Sequence, residues 1–322
     1  MNFKKIGESQ IFEGFCIIKN IDVKMTAKGS SYLDMTVADN DGEINAKLWD
    51  YKENIVGTFE KNDFVKVRGN YVPFNDSLQF RIDRIRLADE RDEVKISDYV
   101  PSAVLEGDIM LTEIEKTVDS FSDPELKLLV AKCLEKNREK LLYWPAAKSM
   151  HHAVRGGLLM HTLTLVRLAE GICKVYPFVN RDLLLAGAIL HDIAKIEELK
   201  SSDIGIAGEY TAKGNLLGHL VMGAIAVDEI GKENGISEET LMLVEHMLIS
   251  HHGTPEFGAV KSPMFIEAEL LSEIDLMDAR VYEMAKATGE VESGAMTPKQ
   301  WALEGRVLYN HGKAGTGDVQ LL

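Results

Sequence analysis

The sequence predicts two domains, an N-terminal all-β barrel followed by an all-α domain. Over the first 90 residues apolar and polar side chains alternate, which is typical of strands with one buried face. From about residue 100 onward apolar side chains recur every three or four positions instead, as on the buried side of a helix. The segment 91–110 is rich in acidic residues and contains Pro101, so we interpret it as a linker.

The first predicted domain, residues 1–90, contains about five strands. Turn signals such as Asp41-Gly42 and Asn75-Asp76 separate neighbouring strands. Five strands of this length match a small closed barrel such as an OB-fold. The predicted strands are 11–24, 32–39, 43–50, 63–71 and 78–87.

The second predicted domain, residues 111–310, is helical, with Pro or Gly at several of the joints between helices. The tail 311–322 is Gly-rich, and we expect it to be frayed. The predicted helical segments are 112–142, 158–175, 182–198, 217–233, 237–250 and 264–287.

Composition indicates a globular protein with reduced thiols. The 322 residues are 45% hydrophobic, yet no stretch approaches the roughly 18 uninterrupted apolar residues of a membrane span. The three cysteines, Cys16, Cys133 and Cys173, lie far apart and form no C-x-x-C pair. We therefore expect a cytoplasmic protein with no membrane partner.

The net charge of −15 argues at first against a nucleic-acid partner, because Lys and Arg dominate phosphate binding. The charge is unevenly distributed, however. Residues 1–90 carry 13 Lys and Arg against 15 Asp and Glu, whereas the rest of the chain carries 23 against 36. Metal sites also use carboxylates, and a bound divalent ion reverses the local sign that a phosphate meets.

The segment ILHDIAKIEEL (189–199) places an imidazole, a carboxylate and an ammonium group within an apolar helical pattern. Burial of such groups is costly unless they have partners. Helical spacing allows His191, Asp192 and Lys195 to face one cavity. A metal site and a local ion pair both explain this arrangement, and the presence of other ligands decides between them.

Further candidate ligands interrupt apolar segments in the same half of the chain. A single buried histidine is more often a hydrogen-bonded core residue than a ligand. Several such interruptions on separate helices favour a metal. Imidazole and carboxylate ligands suit Mn, Fe, Co or Zn, and Mg is a further option. These candidates are His161, His219, His251, His252 and Asp275.

The order His161, His191-Asp192 and Asp275 resembles the H…HD…D signature of HD-domain phosphohydrolases, and His219 and His251 resemble those of the subset with two metals. From about residue 10 to about residue 310 the chain resembles the YhaM-type 3′-5′ exoribonucleases, which join an OB-fold to an HD domain. The words that carry this resemblance are AKLWD (46–50), YWPAAKSMHH (143–152), ILHDIAKIEEL (189–199), GNLLGH (214–219), ISHHG (249–253) and EAELLSEIDLMDA (267–279).

The resemblance implies hydrolysis of phosphodiester bonds at the 3′ end of single-stranded RNA, with release of nucleoside 5′-monophosphates and Mn²⁺ as the usual activating ion. Single-stranded DNA is a further candidate substrate. We also expect a homo-oligomer.

Two-metal chemistry suggests a role for each candidate ligand. We expect Asp192 to bridge two ions because a carboxylate has two oxygens. Lys195, one helical turn later, is expected to hold a phosphate oxygen. His252 is either a further ligand or a substrate contact, since adjacent helical residues point about 100° apart. The remaining ligands are assigned as His161, His191 and Asp275 for the first ion, and His219 and His251 for the second.

Several neighbouring residues have two interpretations. Lys148, His151 and His152 either bind phosphate beside the site or form a capped helix start. Asp278 lies one turn from Asp275, so it either orients a ligand or pairs with Arg280 on a solvated face.

The predicted barrel offers candidate contacts to a nucleic-acid strand. Tyr32, Lys47 and Trp49 are expected to face outward, as in base stacking that tolerates any sequence. The candidate phosphate contacts are Lys66, Arg68 and Arg81. A solvated sheet face or a protein contact is the alternative for each of these residues.

Two rival functions share these features. One is an HD phosphohydrolase of free or cyclic nucleotides, in which the barrel serves assembly or regulation. The other is a binding protein with a structural metal, which the number of candidate ligands and the position of Lys195 disfavour.

Overall fold

The structure is a computed structural model. It divides into two compact units, one formed by residues 1–102 and 202–206 and the other by residues 103–201 and 207–322. His151 and most of the predicted tail, residues 314–322, lie outside the described residues. The residues described are 11–39, 42–74, 77–148, 152–202 and 204–313.

The first unit is a closed five-stranded barrel. Its strands follow the order β1-β2-β3-β5-β4, and β1 pairs with β4 to close it. Every neighbouring pair is antiparallel except β3 and β5. This is the OB-fold arrangement, so the predicted fold class of the first unit is confirmed. The strands are β1 (Ile11–Met25), β2 (Ser31–Asp39), β3 (Gly42–Leu48), β4 (Phe64–Phe74) and β5 (Ser77–Leu87), with a short helix α1 (Glu53–Val56) between β3 and β4.

Alternation along β2 shows how the barrel separates its core from its outer face. Leu33, Met35 and Val37 are buried, whereas Tyr32 before them and Asp34 between Leu33 and Met35 are only partly covered. Side chains of successive strand residues point to opposite faces, so the buried set fills the barrel. Tyr32 is thereby placed on the outer face, as the sequence predicts.

The second unit is helical, and the predicted fold class is confirmed here as well. A two-stranded antiparallel sheet, which the sequence analysis did not predict, interrupts the helices. The elements are α2 (Gly107–Asp119), α3 (Pro124–Leu141), α4 (Gly157–Val175), α5 (Arg181–Leu190), α6 (Lys195–Glu198), β6 (Leu199–Ser201), β7 (Ala207–Tyr210), α7 (Ala212–Glu233), α8 (Glu238–Ser250) and α9 (Ile266–Gly289).

The helical segment predicted at 112–142 is two helices. Asp123 ends the continuity, because its side chain accepts hydrogen bonds from the amides of Glu125 and Leu126 and caps α3. Pro124 then occupies the first turn, where its missing N–H costs nothing. Helix α2 also begins at Gly107, inside the segment interpreted as a linker.

The helix predicted at 182–198 ends at Leu190. The next residues form turns, in which the amide of Ile193 donates to the carbonyl of Leu190 and that of Lys195 to the carbonyl of Asp192. These bonds span three residues instead of four, which tightens the chain as in a 3₁₀ turn. Apolar periodicity continues across the turns, so the pattern alone did not reveal them. The His-Asp doublet therefore lies on a turn between α5 and α6.

No helix in the parts of the chain that the structure describes is long and apolar enough to span a membrane.

Candidate metal centre

Five segments of the helical unit meet at one buried cluster. The ligands predicted from the sequence come from α4, from the turn after α5, from α7, from the end of α8 and from α9. All are nearly inaccessible to solvent except Asp275, whose side chain is 18% exposed. The structure thus brings together His161, His191, Asp192, His219, His251 and Asp275.

Asp192 lies at the middle of the cluster, and its two carboxylate oxygens face different histidines. Oδ2 lies 3.4 Å from Nε2 of His191 and 3.7 Å from Nε2 of His161. Oδ1 lies 3.2 Å from Nε2 of His219 and 3.8 Å from Nε2 of His251. The carboxylate therefore has the orientation that a bridge between two cations requires.

The first group of candidate ligands is compact. Nε2 of His161 lies 3.1 Å from Nε2 of His191 and 3.1 Å from Oδ1 of Asp275. The same oxygen of Asp275 is 4.0 Å from Nε2 of His191. Two imidazole nitrogens and two carboxylates converge here.

Hydrogen bonds on the outer sides of the rings orient these nitrogens. Nδ1 of His191 donates to the carbonyl of Ala188 at 3.0 Å, and Nδ1 of His251 donates to the carbonyl of Leu248 at 2.8 Å. A carbonyl can only accept, so the proton of a neutral ring is on Nδ1 and the lone pair is on Nε2. This tautomer is the one that binds a metal through Nε2.

The second group of candidate ligands contains buried polar atoms whose hydrogen-bonding capacity is unused. Among the described residues, Oδ1 of Asp192 and Nε2 of His219 and His251 are buried and accept or donate no hydrogen bond. Buried polar atoms without partners are rare in native proteins because each one costs free energy. A divalent cation would satisfy all three atoms at once, so the residues present fit a metal.

His252 also belongs to the second group. One of its ring nitrogens lies within 4.8 Å of ligand atoms of His219 and His251. Its Nδ1 donates to the carbonyl of Phe257 at 3.1 Å, which leaves Nε2 to accept.

The electrostatics of the first group favour positive charge. Burial disfavours the imidazolium form of His161, but Asp275 and Asp278 outweigh burial and raise its pKa to about 10. Burial likewise opposes ionisation of Asp192, yet Lys195 and His191 hold its pKa well below the usual range. At neutral pH the centre thus keeps its carboxylates charged.

A cavity of about 780 Å³ opens onto the cluster. Lys195 lines it, and Nζ of Lys195 lies 2.6 Å from Oδ2 of Asp192. Lys148 also lines it and pairs with Glu209 at 2.9 Å. Two exposed aromatic side chains, Tyr210 and Phe257, complete an apolar part of the wall. The cavity is large enough for a nucleotide-sized ligand.

On the barrel, Tyr32 and Trp49 lie face to face, with ring centroids 4.6 Å apart and an interplanar angle of 28°. Nζ of Lys47 lies 5.3 Å from the Tyr32 centroid and 5.5 Å from the Trp49 centroid. Trp49 keeps 37% of its surface exposed. Arg81 is the register partner of Lys47 on β5. The predicted aromatic residues thus form one cationic and aromatic patch.

The other predicted basic residues lie elsewhere on the barrel. Lys66 lies 3.8 Å from Glu13 and 3.9 Å from Asp92, so two carboxylates partly offset its charge. Lys66 and Arg68 line a groove of about 630 Å³ together with Arg84 and Arg86. The structure therefore does not group Lys66 and Arg68 with the aromatic patch.

A family model of the HD domain matches residues 158–280, which contain every candidate ligand described above. The TraI_2 family model matches residues 103–182. Over 310 residues, 95% of each chain, the sequence is 34% identical to the 3′-5′ exoribonuclease YhaM of Oceanobacillus iheyensis. The chain belongs to the YhaM family. The family predicted from the short sequence segments is confirmed.

Solved structures similar to the barrel of this YhaM-family chain have low sequence identity to it. The second OB-fold domain of replication protein A from Methanococcus maripaludis is 14% identical, covers 28% of this chain and 95% of its own, and has a TM-score of 0.23. The mitochondrial single-stranded DNA binding protein Rim1 from S. cerevisiae is 14% identical, covers 26% and 98%, and has a TM-score of 0.22.

Behind the candidate ligands of this YhaM-family chain lies Asp278, for which the sequence left two roles open. Its Oδ2 accepts from Nδ1 of His161 at 2.7 Å and from Nε2 of His152 at 2.8 Å. Asp278 is 8% exposed, and its hydrogen bond to Nδ1 of His161 orients that ring from behind. Of its two interpretations, orientation of a ligand fits this geometry.

The sequence left two interpretations of His152 open, phosphate binding and a capped helix start. His152 is 1% exposed and bonds to Asp278, so it supports the first group of ligands instead of lining the cavity. Its backbone has a positive φ of 55°, which is unusual for a residue with a side chain. Glu198 was not identified from the sequence at all, although Nδ1 of His219 donates to its Oε1 at 3.0 Å.

Proposed function

We propose that this chain hydrolyses single-stranded RNA from its 3′ end and releases nucleoside 5′-monophosphates, with two divalent cations bound at the cluster. The observation that carries the proposal is the orientation of Asp192, whose two oxygens face two separate pairs of histidines. Membership of the YhaM family supplies the substrate class and the direction of degradation.

Two groups of residues would hold the cations. His161, His191 and Asp275 would bind the first, and Asp192 would bridge to the second, which His219, His251 and His252 would complete. When bound, the cations would polarise the scissile phosphate and lower the pKa of a water so that it can attack at neutral pH. Mn²⁺ is our first choice for a site of imidazole and carboxylate ligands, with Co²⁺, Fe²⁺, Zn²⁺ and Mg²⁺ as alternatives.

The protein's own side chains would position the substrate. The ammonium group of Lys195 lines the cavity beside Asp192, where it would offset negative charge that develops on a phosphate oxygen. Lys148 would add a second positive charge at the cavity wall. Single-stranded DNA remains a candidate substrate, since neither contact depends on a 2′-hydroxyl.

A denaturing gel tests the proposal. Single-stranded RNA labelled at the 5′ end should yield a descending ladder with added Mn²⁺, whereas RNA labelled at the 3′ end should release labelled mononucleotide at once. Chelation should stop both reactions. If the protein hydrolyses free or cyclic nucleotides and leaves RNA intact, the rival nucleotide-hydrolase function is correct.

We further propose that the patch of Tyr32, Lys47, Trp49 and Arg81 holds the incoming strand. Trp49→Ala should weaken binding of a long single-stranded RNA by about five- to 150-fold, because one base stacked on an aromatic ring contributes roughly 1–3 kcal/mol. Hydrolysis of a small phosphodiester ester should not change. The measurement pairs RNA binding with small-ester turnover.

Trp49→Phe is the matched control, because it keeps an aromatic ring and should retain most of the affinity. Arg81→Ala should reduce the steepness with which log affinity falls with log salt concentration, by about one released counterion. Unchanged RNA affinity of Trp49→Ala would assign the patch to a protein contact instead. The phosphate contacts at Lys66 and Arg68, the homo-oligomer and the cytoplasmic location stay predictions.

A further inference from the structure

Helix α7 contains a break that the metal centre alone does not explain. Gly218 has φ 70° and ψ 159°, a conformation that L side chains rarely adopt, and the helix resumes at His219. His219 therefore begins a new helical segment. Its amide lacks the helical hydrogen bond to a carbonyl four residues earlier.

A single oxygen of Glu198 satisfies both donors of His219. Oε1 of Glu198 accepts from the backbone amide at 3.0 Å and from Nδ1 of the ring at 3.0 Å. Glu198 is 8% exposed, and among the described residues His219 is its one ion-pair partner within 4.0 Å. One carboxylate thus caps the helical segment and fixes the ring of a proposed ligand.

The segment GNLLGH (214–219) is built around this carboxylate. A Cβ atom at Gly214 would lie 2.4 Å from the carbonyl oxygen of Glu198 and 2.9 Å from its Cγ. Such contacts are too short, so only glycine lets the first turn of α7 approach Glu198 this closely. Gly214 leaves room for Glu198, and Gly218 breaks the helix. His219 then donates two hydrogen bonds to Glu198.

We propose that Glu198 is the positioning residue of the second cation: it holds His219 with Nε2 directed at Oδ1 of Asp192 and so sets the affinity of that ion. This inference rests on the proposed function. Nε2 of His219 lies 3.2 Å from Oδ1 of Asp192, and the first ion's ligands make no hydrogen bond to Glu198 in the described structure. Loss of Glu198 should therefore weaken the binding of the second cation and leave the binding of the first one unchanged.

The test is a Mn²⁺ titration of the full-length protein, followed by electron paramagnetic resonance of free Mn²⁺. The wild type should bind two ions. Glu198→Ala should weaken one binding step by about ten- to 100-fold and leave the other step within a few-fold of the wild type.

Two further variants separate the contact from the charge. Glu198→Gln keeps an acceptor oxygen at the same distance and should retain most of the affinity. Glu198→Asp keeps the charge but is one methylene too short to reach His219, so it should weaken the same step as Ala does. Glu197→Ala is the matched control, because Glu197 is exposed and pairs with Lys213 on the surface.

The titration distinguishes failure of the role proposed for Glu198 from failure of the proposed two-cation function. Two ions at wild-type affinity in the Ala or Asp variant would overturn the role of Glu198 while leaving the two-cation function intact. Equal weakening of both steps in these variants would mean a general structural role and would also overturn it. A wild type that binds fewer than two ions would contradict the proposed function itself, and the inference with it.

Discussion

Replacement of Asp192 by Asn should reduce hydrolysis of both RNA and a small phosphodiester ester by roughly a thousandfold, because several kcal/mol of transition-state stabilisation are lost with the cations. Among the residues that the structure describes, Asp192 is the carboxylate whose two oxygens face both pairs of histidines. An amide has the same shape but no charge, and its nitrogen cannot bind a cation.

The measurement combines turnover of both substrates with Mn²⁺ content and the far-ultraviolet circular dichroism of the variant. Asp228→Asn is the matched control, since Asp228 pairs with Lys232 on the surface of α7. We expect native helix content in both variants. Activity of Asp192→Asn within tenfold of the wild type would contradict the assignment of Asp192 as the bridge.

Lys195→Met should lower turnover by about 10²- to 10³-fold while Mn²⁺ content is retained. The ammonium group lies in the cavity wall, and removal of one donor that stabilises developing charge typically has an effect of this size. Methionine keeps much of the apolar stem, so the packing around the side chain changes little. Turnover and metal content are measured on the same preparation.

The contact of Lys195 with Asp192 makes a second outcome informative. Nζ lies 2.6 Å from Oδ2, so the ammonium group also holds the carboxylate in place. If Lys195→Met loses its metal, Lys195 positions the bridge and does not act on the substrate. Lys213→Met is the control, because Lys213 is exposed and pairs with Glu197.

The sequence identified the candidate ligands that the structure brings together, because each one interrupts an apolar segment. His161 and His191 stand out in this way, and a polar side chain among buried neighbours needs a partner wherever the helix lies. The strands of the barrel could be predicted equally well, since strand alternation and turn residues are local signals. These predictions required no knowledge of how distant segments meet.

The supporting residues could not be predicted in this way. Glu198 follows Glu197 in a short charged run, which reads as a solvated helix face, and only the fold distinguishes the buried member from the exposed one. From the sequence alone, Asp278 could equally have paired with Arg280, two residues later. The end of α5 at Leu190 was missed because apolar residues continue through the turns. In each case the deciding contact is made by residues far away in the sequence.

The proposed ligands lie on five segments, from α4 to α9, that only the complete helical unit brings together. The unfolded chain would have to close several long loops to bind an ion, so the proposed cations would bind the native state almost exclusively. By mass action each bound ion would then add about 2.7 kcal/mol to the free energy of unfolding when free metal is a hundredfold above its Kd. The folded population of this protein, and its resistance to proteolysis, would therefore follow the supply of divalent cation.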